Sequence, residues 1–221
     1  MPQLKRKSVR QTNNTMNRRA IIWALFLLGM WAIPASAQYA PSESEIQVAK
    51  LPLPTELREG AGIISWNYVG NITRYRSSTN GMSCNLDDPS DEVVNIKCYN
   101  DQFWEIIARY REIGQTVPSR AERDSILTAD ITAGRLLLPE VPTAGYRILD
   151  LESSMISIDG QKAPTARKWQ SIHFPFRTAE EMGLPTGEEK NADGMESYVP
   201  FIMSSGTWWS HVMLVHETFD D

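Results

Sequence analysis

Val93-Val94-Asn95-Ile96-Lys97-Cys98-Tyr99, followed at once by Asn100-Asp101-Gln102-Phe103-Trp104-Glu105-Ile106-Ile107-Ala108-Arg109-Tyr110-Arg111-Glu112-Ile113-Gly114, changes its hydrophobic period midway. In the first part Val94, Ile96 and Cys98 alternate with Asn95 and Lys97, the period of two that a half-buried strand shows. In the second, Phe103, Ile106, Ile107, Tyr110 and Ile113 recur at helical spacing. Asn100 can accept a hydrogen bond from the free N–H groups at the start of this helix, and Gly114 can end it. A strand therefore runs directly into a helix in mid-chain, and what flanks the pair decides the fold class.

Downstream, Ser119-Arg120-Ala121-Glu122 has the form of a capping box after Pro118, predicting a second helix that runs to about Ala133 and stops at Gly134. The two helices, over about 101–133, make an αα hairpin. Upstream of it, Gly62 to Arg76 (GIISWNYVGNITRYR) is rich in β-branched and aromatic residues, with Gly70-Asn71 as the turn between two short strands. Beyond Leu136 strands are expected over Tyr146 to Ile158, Arg167 to Phe174, Tyr198 to Met203 and Thr207 to Thr218. Thr178-Ala179-Glu180-Glu181 caps a short helical turn ending at Gly183. Strands segregated from a helical hairpin predict an α+β fold, a mainly antiparallel sheet with the hairpin inserted between strands.

Cys84 and Cys98 are the two cysteines, and in an oxidising compartment an even pair is bridged. Their spacing is far from the C-x-x-C of a redox-active dithiol, so the bridge is structural and staples the acidic segment Leu86 to Glu92 to the strand that follows. That acidic run lacks the alternating oxygen ligands, central glycine and closing glutamate of an EF-hand loop.

The oxidising compartment is indicated by the N-terminus. Lys5, Arg6, Lys7, Arg10, Arg18 and Arg19 precede the uncharged run Ala20 to Ile33 (AIIWALFLLGMWAI), which stops at Pro34 and is followed by Ala35-Ser36-Ala37. This is the order of a secretory signal, with cleavage before Gln38, and Met16 opens a shorter version of it. A membrane anchor needs roughly 20 apolar residues, more than this run supplies. Arg18-Arg19 leaves the twin-arginine route open beside the general secretory one. Loss of the signal's six bases from a total of 22 leaves 16 against 27 acids, so the exported chain carries −11 where the full sequence carries −5. Such a surface is ill suited to nucleic acid or anionic lipid, whose binding depends on Lys and Arg. Residues 38–60, with prolines and several charges, read as an extended arm or linker, and 61–221 as a single α+β domain without a membrane span.

The three histidines, His173, His211 and His216, lie in the expected C-terminal strands. In a regular strand Trp209, His211, Met213, Val215 and Glu217 share one face, while Trp208 and His216 belong to the other. His211 and Glu217 would then be about 20 Å apart, and His211 and His216 would point oppositely, so neither pair holds one ion. Only His173 from a neighbouring strand could complete a site. His173, His211, His216 and Glu217 are therefore the catalytic candidates, with no metal and no cofactor expected. The patterns G-x-S-x-G and S-x-x-K are absent, as are the glycine-rich phosphate loops.

Aromatic content is the more suggestive signal. Trp66, Tyr68, Trp169, Trp208 and Trp209 fall in expected strands, and such rings can stack on a sugar or an apolar ligand, although core packing is their plainer use. Adjacent Trp208 and Trp209 must face opposite ways, so both cannot be buried in the same layer. Trp66, Trp169, Trp208 and Trp209 are thus the binding candidates. The sequence leads to a periplasmic or secreted accessory or binding protein that recognises a small neutral or apolar ligand, or an envelope protein, on an aromatic sheet face. The alternative is an envelope hydrolase or isomerase using the C-terminal histidines.

Overall fold

A computed structural model of the chain describes residues 39–67, 69–88, 93–150, 167–187 and 200–218; the expected signal, and Tyr68, lie outside them. The change of period after Tyr99 is where one strand ends and one helix begins. Strand β4 is Val94–Asn100 and helix α3 is Asp101–Gly114, joined by Asn100, whose side-chain oxygen accepts from the Gln102 N–H at 2.9 Å. Ser119 caps α4, Arg120–Thr132, and the chain leaves it through Gly134 at φ +70°.

The remaining strands are β1 (Gly62–Trp66), β2 (Ile72–Arg76), β3 (Met82–Asn85), β5 (Thr143–Asp150), β6 (Arg167–His173), β7 (Phe201–Met203) and β8 (His211–Thr218). Together with β4 they form one eight-stranded sheet in the order β2-β1-β3-β4-β5-β6-β8-β7. Strands β1 and β3 are parallel, and the other neighbours are antiparallel. This is the expected α+β class, with α3 and α4 between β4 and β5 in sequence. The β1–β2 hairpin turns where expected: Asn67 accepts from the N–H groups of Val69 and Asn71, and Gly70 takes φ +91°. A complete capping box at Thr178 starts α5, Ala179–Met182, and Gly183 closes it in the left-handed conformation.

The expected arm and the start of the last strand need correction. The segment read as an extended arm folds into α1 (Glu43–Ala49) and α2 (Thr55–Arg58), and α1 has its own capping box between Ser42 and Glu45. Ala49 and Leu53 are buried with Ile63, Cys84 and Cys98, so apolar burial outweighs the prolines that suggested a linker. The second concerns the last strand, which starts at His211, because Thr207 to Ser210 is a turn.

Both sheet faces are consequently covered. Helix α1 and the turn after it pack on the face that carries Ile63, Val94, Ile96, Cys98 and Ile148. The α3–α4 hairpin packs on the other, where Ile64 and Tyr99 meet Phe103, Trp104, Ile106 and Leu127. Cys84 and Cys98 are direct partners across β3 and β4 and form the expected disulfide, on the α1 side. It joins two adjacent strands and not, as expected, a loop to a strand. Among the described residues no helix is long and apolar enough to cross a membrane.

Candidate functional site

Because α1 takes the Ile96–Cys98 face of β4, the polar face holding Lys97 lies under the helical hairpin. Lys97 is directly opposite Arg147 of β5. Their environment is aromatic: the Lys97 ammonium lies 5.0 Å from the centroid of Trp66, and the Arg111 guanidinium of α3 lies 3.8 Å from that ring. The Arg147 Nε donates to Asn95 Oδ1 at 3.0 Å, and its guanidinium stands 5.9 Å from the Trp169 ring. Burial, reinforced by the positive charges of Arg147 and Arg111, pushes the Lys97 ammonium down to about 7. Burial also lowers Arg147, and it pushes the Tyr99 phenol up to about 12, so that Tyr99 remains a neutral hydrogen-bonding group.

These side chains floor a cavity of about 440 Å³ between sheet and hairpin. Its walls include Trp66, Trp104, Tyr110, Trp208 and Trp209. Trp104 is pinned to the sheet, its Nε1–H donating to the Ser83 carbonyl at 2.7 Å. Among the described residues four cationic side chains line the space, Lys97, Arg111, Arg120 and Arg147, against the single acid Asp124. That carboxylate is already engaged, accepting the Trp208 Nε1–H at 2.9 Å and lying 3.8 Å from Arg120.

Trp208 and Trp209 reach the same cluster, their rings 5.2 Å apart, contrary to the expected opposite faces. Alternation applies only to extended chain, whereas this segment turns on hydrogen bonds from Thr207 Oγ1 to the Ser204 carbonyl and from the Trp209 N–H to Thr207 Oγ1. Trp208 is buried and Trp209 half-buried.

A second cavity, about 310 Å³, adjoins the first and shares Tyr99, Arg147 and Trp209 with it. Trp169, Ser171, His173 and His211 are among its lining residues. His173 and His211 are cross-strand partners with stacked rings, 4.9 Å between centroids. His211 Nδ1–H donates to the Trp209 carbonyl at 2.7 Å, which leaves its Nε2 as the bare nitrogen. His173 Nε2 lies 3.2 Å from Ser171 Oγ, while its buried Nδ1 has no hydrogen-bond partner among the described residues. Burial lowers both histidines, so both are neutral at pH 7.

Register overturns the strand arithmetic for the other two candidates. Gln170 pairs with Val215 but Ser171 with Met213, so a bulge at Leu214 adds one residue to β8. His216 is thereby paired with Trp169, which belongs to the same face of β6 as His173, and Glu217 is paired with Lys168, which does not. The structure brings His173 and His211 together and leaves His216 and Glu217 further along the ladder. Among the described residues no three His, Cys, Asp or Glu side chains gather as a metal site.

No family model matches the chain, and neither does any curated protein or solved structure. Function is read from the site itself. Sequence reasoning placed all four candidate tryptophans in strands, and all four line one or both cavities. It missed Lys97, Arg147, Arg111 and Ser171. The available signal was Lys97 inside a strand leading straight into a helix, since that helix must cover one face of its own strand.

Proposed function

We propose that this chain is an exported binding protein, periplasmic or secreted, whose small ligand enters the aromatic cavity between the sheet and the α3–α4 hairpin. The observation that carries the reading is convergence: Trp66 of β1, Trp104 and Tyr110 of α3, and Trp208 and Trp209 of the turn before β8 line one space of about 440 Å³. Its size lies within the ~300–1,000 Å³ of small-molecule sites. The disulfide and the signal-like N-terminus support the compartment. Titration of the intrinsic tryptophan fluorescence with glycans, lipids and aromatic acids tests the reading. A saturable response is expected that weakens about tenfold or more in Trp66→Ala, an aromatic contact being worth on the order of 1 kcal/mol beyond its buried area. Silence across the panel sinks it.

One observation favours the enzyme alternative: Ser171, His173 and His211 meet at the second cavity, with a hydroxyl 3.2 Å from an imidazole nitrogen. That reading requires His173→Ala or His211→Ala to abolish turnover of an ester or amide while leaving the fold intact.

A further inference from the structure

Resting on the cavity as the binding site, we infer that its ligand is an organic anion, a carboxylate or sulfonate on a flat apolar body, and that Lys97 and Arg147 receive the anionic group. Three features of the floor converge on this chemistry. Lys97 and Arg147 are direct partners in the β4–β5 register, and like charges placed opposite one another in an antiparallel pair repel. Their contacts are neutral: Lys97 has the Trp66 ring, and Arg147 has the Asn95 amide oxygen and the Trp169 ring. Among the described residues no carboxylate lies within ion-pair distance of either.

The third feature is contrast with other arginines. Arg74 meets Asp101 at 3.3 Å, Arg109 meets Asp130 at 2.8 Å, and Arg135 meets Asp130 at 2.6 Å. Among the described residues the cavity-floor cations are met by rings and an amide. A desolvated charge is costly until an opposite charge meets it. A π face holds a cation in place without cancelling its charge, so the site keeps its attraction for an anion from solution. The surrounding rings supply area for a flat body, while Asp124, the acid in the lining, is engaged by Trp208 and Arg120. The overall negative charge had pointed to a neutral ligand; the local field inside the cavity has the opposite sign.

Two fluorescent probes isolate the anionic group, because 1-anilinonaphthalene-8-sulfonate and N-phenyl-1-naphthylamine share one ring system and differ by the sulfonate. Titrated into the purified chain, the sulfonate is expected to bind about tenfold or more tighter, the scale of a hydrogen bond to a charged group. Lys97→Met and Arg147→Met should each remove most of that preference without weakening the neutral probe. Arg147→Lys, which keeps the charge, should recover part of it. Arg177→Gln, outside both cavities, should change nothing, and near-ultraviolet circular dichroism verifies folding throughout. Equal affinity for the two probes overturns the anion inference and leaves the cavity reading standing. Failure of both probes to bind overturns both. Sulfonate binding that survives Lys97→Met and Arg147→Met in folded protein means adsorption elsewhere and likewise overturns the inference.

Discussion

Burial brings the Lys97 ammonium from its ordinary 10.5 down to about 7, and the stability consequence follows from which state holds the proton. Between those two values the unfolded chain binds a proton that the folded chain does not, so stability rises with pH across this window. Below about 7 both states are protonated and the whole cost is present. The groups that face Lys97, Arg147 of β5 and Arg111 of α3, are guanidinium cations and add to the cost. Without ligand, Lys97→Met is expected to be more stable than the native chain at pH 6 by about 1–3 kcal/mol, as when a buried ion is replaced by an apolar residue of similar volume. The gap should narrow towards pH 9. Urea denaturation at both pH values decides it, and equal stability at pH 6 refutes it. Lys97 also marks the limit of legibility for a single residue. Alternation in Val94 to Tyr99 shows that the two faces differ, but which face the adjoining α3 covers is settled by α1, far upstream in sequence, taking the other.

At the scale of elements, the β1–β2 hairpin is held against α3 by its turn. Gly70 adopts φ +91°, and a Cβ there would clash with the Ala108 carbonyl oxygen and sit 3.1 Å from the Glu112 nitrogen. Gly134 shares the left-handed conformation at φ +70° but has no atom near its Cβ position. Gly134→Ala should thus cost only the backbone strain, about 1–2 kcal/mol, and Gly70→Ala that strain plus a backbone clash. Urea midpoints of the two variants give the difference, and equal losses would mean that the hairpin tip does not bear on α3. Elements with local signals were legible: Asn100, Ser119 and Thr178 cap the helices they were expected to cap, and Gly70 turns the hairpin it was expected to turn. Strand β3 was not, because Met82-Ser83-Cys84-Asn85 is buried at every position and so shows no period. Nor were the Leu214 bulge and the turn at Thr207 to Ser210, which depend on partners in β6 and on side-chain hydrogen bonds. These two irregularities carry the site, since one sets the register of the histidine strand and the other brings two tryptophans into one cluster.

Taken whole, the molecule divides its tasks between the two faces of one sheet. The α1 face is apolar and carries the disulfide, and the α3–α4 face carries the cations, the rings and both cavities. Strand β4 belongs to both, because Cys98 faces α1 while Lys97 and Tyr99 line the cavity. Opening the disulfide frees a loop spanning a sequence separation of 14, which costs on the order of 3 kcal/mol in the loop-entropy description. The double variant Cys84→Ala, Cys98→Ala should lose about that much stability, and the native chain the same on reduction by dithiothreitol. Affinity for 1-anilinonaphthalene-8-sulfonate, measured well below the melting temperature, should change by no more than about twofold, because the bridge lies on the opposite face of the sheet from the cavity. The bridge then secures the fold without shaping the cavity. A fully folded double variant that lost the probe would show instead that the bridge sets the position of β4, and with it the spacing of Lys97 and Arg147.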